Sequence, residues 1–227
     1  MTDTDNNCKY GICDGNGWVW VNPETRLPYP NPQYCQCHKD KIKQKRFEKL
    51  LKESQINDMT HMTFESYKPQ HRTQQLAIDQ LRAEHRGYYL FGPFGVGKTH
   101  LMAATVLRAI GKEKVSVIVT VPKLLDSLRR YGDKDTLAIE TLAYEADYLA
   151  LDDIGKHKIT DWTEERLFML IDERYKKFKS RKIHTSVSSN LPPEELSRTI
   201  DPAIVDRIRG MCAEVFVDGK SYRTVRL

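Results

Sequence analysis

The chain has 227 residues, 40% of them hydrophobic and 30% charged, with a formal net charge of +5. That is enough apolar material for one packed domain and a small appendage, and it excludes wholesale disorder. No run approaches the ~18 apolar residues of a membrane span, and the polar, acidic stretch 1–7 lacks the apolar core of a signal peptide. The expectation is a cytoplasmic protein with no membrane partner. The mild positive charge permits a polyanionic partner without requiring one.

Four of the five cysteines, Cys8, Cys13, Cys35 and Cys37, fall within the first 37 residues, and Cys212 stands alone. In a reducing compartment such clustering points to a metal site more than to disulfides. Residues 1–40 are rich in glycine, proline and aromatics. Gly15-Asn16-Gly17 reads as a turn, Trp18–Val21 as β-prone, and Pro28–Pro32 as a second turn-rich stretch. So small a segment buries little core, and Zn²⁺ held by the four thiolates would staple it. The spacings C-x₄-C and C-x-C depart from the C-x₂-C of zinc knuckles, and His38 is an alternative fourth ligand. Four reduced structural cysteines, or a disulfide formed on isolation, are the other readings.

Residues 41–72 form a connector. Lys39–Lys52 carries seven basic and two acidic residues, with Ile42, Phe47, Leu50 and Leu51 near helical spacing, so it reads as a short basic amphipathic helix. It is either a solvated connector or a surface for nucleic acid or an acidic partner. An irregular entry segment follows, anchored by Phe64 and Tyr67, with Pro69 disfavouring helix at Lys68.

Residues 73–227 carry the main domain. A helix over 73–86 leads into an apolar strand, Gly87–Phe91, and then into Gly92-Pro-Phe-Gly-Val-Gly-Lys-Thr99. This is G-x-x-x-x-G-K-[ST], the phosphate-binding loop. Gly92, Gly95, Val96 and Gly97 would turn backbone N–H groups toward a di- or triphosphate, helped by the N-terminus of the following helix, 99–110. Lys98 would reach the β- and γ-phosphates, and the Thr99 hydroxyl would ligate Mg²⁺.

Val115–Val121 reads as a second buried strand, and 124–130 and 137–144 read as helices. Tyr148–Leu151 is a third strand, closed by Asp152-Asp153. A helix over 163–177, a strand over 182–188 and a final strand over 213–217 complete an α/β domain with a parallel sheet. Asp152 stands at the carboxyl edge of its strand, where an Asp holds Mg²⁺, and Asp153 is placed to polarise water. A turn or cap is the plain alternative for this pair. Asn190, closing Ser188-Ser189-Asn190, could bond the γ-phosphate or the lytic water, or simply begin a turn. Arg207, within Asp206-Arg207-Ile208-Arg209, reads as a finger onto a neighbouring subunit's nucleotide or as an ordinary surface arginine.

Taken together, Gly92–Leu101, Leu151-Asp152-Asp153-Ile154-Gly155, Ser189-Asn190-Leu191-Pro192, Asp206-Arg207-Ile208 and Ser221-Tyr222-Arg223 resemble the DnaC/DnaI-type AAA+ helicase loaders. That family is similar to the IstB-type transposition helper ATPases. The resemblance runs from about Thr63 to the C-terminus, and the cysteine module with its basic helix looks most like the DnaI-type and phage-encoded loaders. It implies an AAA+ domain that binds ATP and Mg²⁺, with Asp153 polarising water, Asn190 sensing the γ-phosphate and Arg207 acting in trans. Arg223 is implied as a late arginine near the nucleotide, and Phe64 and Tyr67 as neighbours of the adenine. Where many AAA+ proteins carry Asp-Glu, Asp153 is one methylene shorter, which implies slow or partner-dependent hydrolysis. About ten residues follow the last strand, leaving no helical lid.

The implied function is an ATP-dependent homo-oligomer that loads a replicative hexameric helicase onto single-stranded DNA. The segment Lys123–Tyr131, with Arg129 and Arg130, would contact the DNA, and the cysteine module would grip the helicase. A transposition helper ATPase is the alternative.

Overall fold

The computed structural model describes residues 8–13, 15–83, 86–129, 134–156, 158–181 and 183–223. Contacts divide the chain into two units, Met1–Lys49 and Leu50–Leu227, with the division falling inside one helix.

In the first unit, β1 (Trp18–Val21) pairs antiparallel with β2 (Pro28–Tyr34). The turn-rich stretch expected at Pro28–Pro32 is therefore a strand. In a two-stranded ribbon both strands are edges, so prolines at alternate positions can leave their missing N–H groups off the ladder. The register also shifts between Val19 and Val21. Helix α1 (Gln36–Glu53) follows directly. It begins three residues before the expected Lys39, which puts Cys37 in its first turn.

The second unit is built on a five-stranded parallel sheet: β3 (Gly87–Phe91), β4 (Ser116–Thr120), β5 (Tyr148–Ile154), β6 (His184–Ser189) and β7 (Cys212–Phe216), in the order β4-β5-β6-β3-β7. Its helices are α2 (Arg72–Ala83), α3 (Lys98–Gly111), α4 (Val121–Arg129), α5 (Lys134–Glu145), α6 (Asp161–Arg181), the single turn α7 (Pro193–Leu196) and α8 (Pro202–Met211). Parallel strands need crossover helices, and these bury the sheet on both faces. On one face Val117, Val119, Leu149, Leu151 and Val187 form a continuous core with Leu124 and Leu125 of α4, Leu167 and Leu170 of α6, and Ile204 and Ile208 of α8. The other face lies against α3, whose Leu101, Met102 and Val106 are fully buried. Each such side chain contributes roughly 1.5–3 kcal/mol on leaving water.

A buried arginine closes the domain away from the sheet's carboxyl edge. Arg174 of α6 has no exposed surface, and its guanidinium donates to Thr185 Oγ1 (2.7 Å), His184 O (2.6 Å), Ala143 O (3.2 Å) and Ala146 O (3.0 Å). Its charge thereby satisfies the last carbonyls of α5, where the helix dipole favours a cation.

Candidate nucleotide site and cysteine cluster

The carboxyl ends of β3, β5 and β6 meet at one edge of the sheet, the place where open α/β sheets bind ligands. β3 runs into the glycine loop and α3. Gly97 precedes α3 with φ +95°, and a Cβ there would stand 2.5 Å from the Tyr67 ring. A Cβ on Gly95, at φ +77°, would stand 2.0 Å from Ser221 Oγ. Both glycines are thus required by backbone conformation and by close approach.

Lys98 Nζ donates to Gly92 O, Pro93 O and Asn190 Oδ1, each at 2.8 Å, so the loop lysine and the end of β6 are directly joined. Burial pushes this ammonium down to about 8, against the attraction of Asp153 and Asp152. Thr99 Oγ1 donates to Asp152 Oδ2 at 2.8 Å, and Ser188 Oγ donates to Asp152 Oδ1. Asp152 is almost fully buried and burial pushes its carboxyl up, so a cation at its oxygens would relieve a real desolvation cost. Thr99 and Asp152 are the residues that would hold Mg²⁺ here. The ion, once bound, would supply charge neutralisation at the phosphates.

Asp153 differs in detail from the expected strand end. β5 continues through it to Ile154, and its pairing with β6 shifts between Leu151 and Ile154. Within that bulge Asp153 takes φ +62°, and its N–H donates to Ser188 Oγ at 3.1 Å. A bulge re-aims side chains, and Asp is among the few residues that enter the left-handed region at modest cost. Consecutive aspartates, which an ideal strand would send to opposite faces, are thereby both used at the sheet edge: Asp152 against Thr99, and Asp153 in the cavity wall beside the loop. The Asp153 carboxylate pairs with Lys156 Nζ at 2.7 Å.

The cavity beside the loop has a volume of about 330 Å³. Its walls include Gly95, Gly97, Lys98, Thr99, Asp153, Asn190 and Arg223; of the residues expected to serve the nucleotide within one protomer, the lining lacks Gly92, Val96 and Asp152. Those three stand immediately behind: Gly92 O on Lys98, Val96 O on Tyr67, and Asp152 on Thr99.

Tyr67 lines the cavity, but Phe64 does not. Phe64 packs under the guanidinium groups of Arg82 and Arg108. Tyr67 is joined edge-on by His100 (5.1 Å) and Tyr222 (5.7 Å), giving a three-ring wall. Arg207 is not brought to the cavity. On α8 it donates to Asp172 Oδ1 (2.8 Å) and Ala203 O (3.0 Å) and lies over Phe168. In the Lys123–Tyr131 segment, α4 ends at Arg129, whose guanidinium covers Trp162; Arg130 and Tyr131 lie outside the described residues.

Several side chains that shape the site carry no motif. Gln74 is fully buried: its Oε1 accepts from the N–H groups of Gln70 (2.7 Å) and His71 (3.2 Å) and from Tyr222 Oη (3.2 Å), and its Nε2 donates to Val96 O. Tyr222 N–H donates to Gly95 O at 2.9 Å. The chain after β7 thus straps onto the glycine loop. Ser188 is one of several small polar residues in β6, His-Thr-Ser-Val-Ser-Ser, and nothing in the sequence singles it out.

In the first unit the sulfurs of Cys8, Cys13, Cys35 and Cys37 all lie within 4.8 Å of one another, with Cys8–Cys35 at 3.6 Å and Cys13–Cys37 at 3.4 Å. Tetrahedral Zn–S bonds of ~2.3 Å place sulfurs about 3.8 Å apart, so the four thiolates fit a closed structural Zn²⁺ site. The Cys13 N–H, with those of Ile12 and Tyr10, holds the Cys8 thiol down to about 5, while burial pushes Cys35 up and Cys37 up to about 12. Such a cluster cannot ionise fully without a cation. His38 stands outside it, stacked on Tyr34 at 4.7 Å. Among the described residues no helix is long and apolar enough to cross a membrane.

Comparison with known proteins agrees with this fold. The crystal structure of the DnaC helicase loader superposes with a TM-score of 0.63 over 71% of this chain and 99% of that one, at 21% identity, a likeness of fold. The replicative helicase loader DnaI of Bacillus subtilis is 29% identical over 167 residues, which are 68% of this chain and 53% of DnaI. An ATP-binding protein of insertion sequence IS232 from Bacillus thuringiensis subsp. berliner is 31% identical over 137 residues, 58% of this chain and 53% of that protein. This chain therefore spans about half the length of both relatives. The IstB-like ATP binding protein family matches residues 35–226, and the chain belongs to that family.

Proposed function

We propose that the protein is an ATP-hydrolysing helicase loader, which binds a hexameric replicative helicase and delivers it onto single-stranded DNA when replication starts. The observation that carries the ATPase half is the connected constellation Lys98–Asn190 and Thr99–Asp152–Ser188, with Asp153 turned into the same cavity by the β5 bulge. In this reading the loop amides and Lys98 bind the phosphates, and Thr99 and Asp152 hold Mg²⁺. Asp153 orients the attacking water, Asn190 reports the γ-phosphate through Lys98, and Arg223 closes the nucleotide's flank. The Tyr67–His100–Tyr222 wall offers ring faces and edges to a base.

Arg207 lies on α8, outside the lining of its own cavity, and acts on the nucleotide of an adjacent protomer once ATP assembles a homo-oligomer. ATP then favours the assembled state and hydrolysis releases it, a shift in population. The chain divides functionally into the zinc module (1–40), the basic linker and entry segment (41–72) and the AAA+ ATPase (73–227), working in the cytoplasm. The loader half is supported by the similarity to DnaI and by the thiolate cluster upstream of the ATPase.

Co-purification with the host's replicative helicase, with ATP turnover measured with and without single-stranded DNA, tests the whole. Absence of helicase binding under every nucleotide condition sinks the loader role, and normal turnover by Lys98→Ala sinks the site. The similarity to the IS232 protein favours a second reading, a transposition helper ATPase. Retention of a transposase in place of the helicase would select it.

A further inference from the structure

Lys156 stands between two cavities. Its ammonium pairs with Asp153 Oδ1 at 2.7 Å and lies 5.1 Å over the ring of Phe94, at the exposed tip of the glycine loop. It lines the nucleotide cavity, and it also lines a second hollow of about 230 Å³. That second hollow has an apolar floor at Pro122 and Leu125, with Arg129, Lys156 and Lys158 around it and Asp126 as its one carboxylate. Three cations against one anion on an apolar floor suit a phosphodiester backbone with its sugars.

We infer that Lys156 is a positioning residue that couples this basic hollow to Asp153. The inference rests on the ATPase reading given above. While Lys156 holds Asp153, the carboxylate has one oxygen committed to an ammonium and is a poorer acceptor for the attacking water. A nucleic-acid phosphate in the hollow competes for the same ammonium, draws it off Asp153 and Phe94, and frees the carboxylate. The Lys156 side chain is about one-third exposed, so the exchange costs little. An ion pair of this exposure sets a two-state bias of about two- to fivefold. Because linkage is reciprocal, freeing Lys156 from Asp153 must also strengthen the hold on the phosphate by the same factor.

The test has two arms. In the first, steady-state ATP turnover of the full chain is measured with and without a short single-stranded oligonucleotide. Lys156→Ala should raise basal kcat about two- to fivefold with KM for ATP unchanged, and should remove further stimulation by the oligonucleotide. Lys156→Arg, which can keep both contacts, should restore a low basal rate and the stimulation. A lowered kcat or a raised KM in Lys156→Ala would make Lys156 a phosphate ligand and overturn the inference. In the second arm no nucleotide is present, and binding of the fluorescent oligonucleotide is read by anisotropy. Asp153→Asn should tighten binding about two- to fivefold, and the Asp153→Asn/Lys156→Ala double variant should lose that gain. Unchanged affinity in Asp153→Asn refutes the coupling even if the wild-type chain turns over no ATP, a result that would by itself refute only the ATPase reading.

Discussion

Removing the Ser188 hydroxyl isolates the support beneath the paired aspartates. Ser188 is fully buried; its Oγ donates to the Asp152 carboxylate and accepts the Asp153 N–H at 3.1 Å. Ser188→Ala therefore weakens a bond to a buried charged group, worth roughly 1.5–3 kcal/mol, and strands a backbone donor inside the bulge. Ser189, equally buried, provides an internal control: its Oγ donates to Ile154 O (3.0 Å) and accepts from Leu191 N–H (3.2 Å), both neutral partners. Ser189→Ala should cost about 1 kcal/mol. Urea unfolding followed by tryptophan fluorescence should show an unchanged m and a loss of about 2–3 kcal/mol for Ser188→Ala. For a unit of this size that corresponds to about 5 °C or more in Tm. The loss of a hydrogen bond to the ionised form also pushes the Asp152 carboxyl further up, so Mg²⁺–nucleotide affinity should fall in the same variant. Equal losses for the two serines, or a silent Ser188→Ala, would refute the claim that Ser188 holds a charged Asp152 and the strained Asp153 backbone.

Gly97→Ala puts a Cβ within 2.5 Å of Tyr67 at a backbone angle of +95°, so nucleotide binding should drop at least tenfold in a fluorescent-nucleotide titration; wild-type affinity would show that loop and ring yield freely. Lys98 has a folded-state pKa of about 8, below its unfolded value of ~10.4, so the unfolded chain binds more protons between those values and stability should rise with pH across that window, most clearly in urea midpoints between pH 8 and 10. Phosphate binding favours the charged lysine, so nucleotide affinity should weaken above pH 8. Calorimetry at pH 8.5 in two buffers should then register uptake of about half a proton or more, and no uptake in Lys98→Ala. Freshly reduced protein should contain one zinc per chain; chelation, or Cys35→Ser, should abolish the ordered β1–β2 ribbon as read by near-ultraviolet circular dichroism, and zinc well below stoichiometry would refute the stapled module.

The repeating parts of the second unit were legible because each carries its own local signal. The run 87–91 is apolar and aromatic and the run 115–121 is rich in β-branched residues, and the observed strands match them to within a residue at each end. Helix bounds shifted more, as with α6, which extends to Asp161–Arg181 from an expected 163–177. Its added ends carry one core-packed aromatic each, Trp162 and Phe178, and a single apolar residue among polar neighbours sets no helical spacing. The β2 strand was misread because proline signals a turn wherever strands are paired on both sides, and nothing local says that a ribbon has two free edges. Arg174 was invisible for a related reason. Its role depends on where α5 ends in space, and a lone Arg in a charged helix reads as surface until the carbonyls of Ala143 and Ala146 are found beside it.

The candidate site divides along the same line. Lys98, Thr99 and Asp152 belong to short motifs whose spacing encodes their chemistry, and the structure joins Thr99 to Asp152 and Lys98 to Asn190 at one sheet edge. What spacing could not encode is how two consecutive aspartates serve one cavity edge. In an ideal strand Asp153 would face the opposite side of the sheet from Asp152. The register shift between Leu151 and Ile154, the left-handed Asp153 backbone and the Ser188 hydroxyl beneath both residues resolve that conflict together. A longer, less turn-tolerant side chain would enter the same backbone at greater cost, since Asp and Asn are the non-glycine residues that bond locally in that conformation. The missing methylene relative to an Asp-Glu pair is therefore matched by a backbone that carries Asp153 toward the loop, and Lys156, three residues on, is positioned by that turn to meet it.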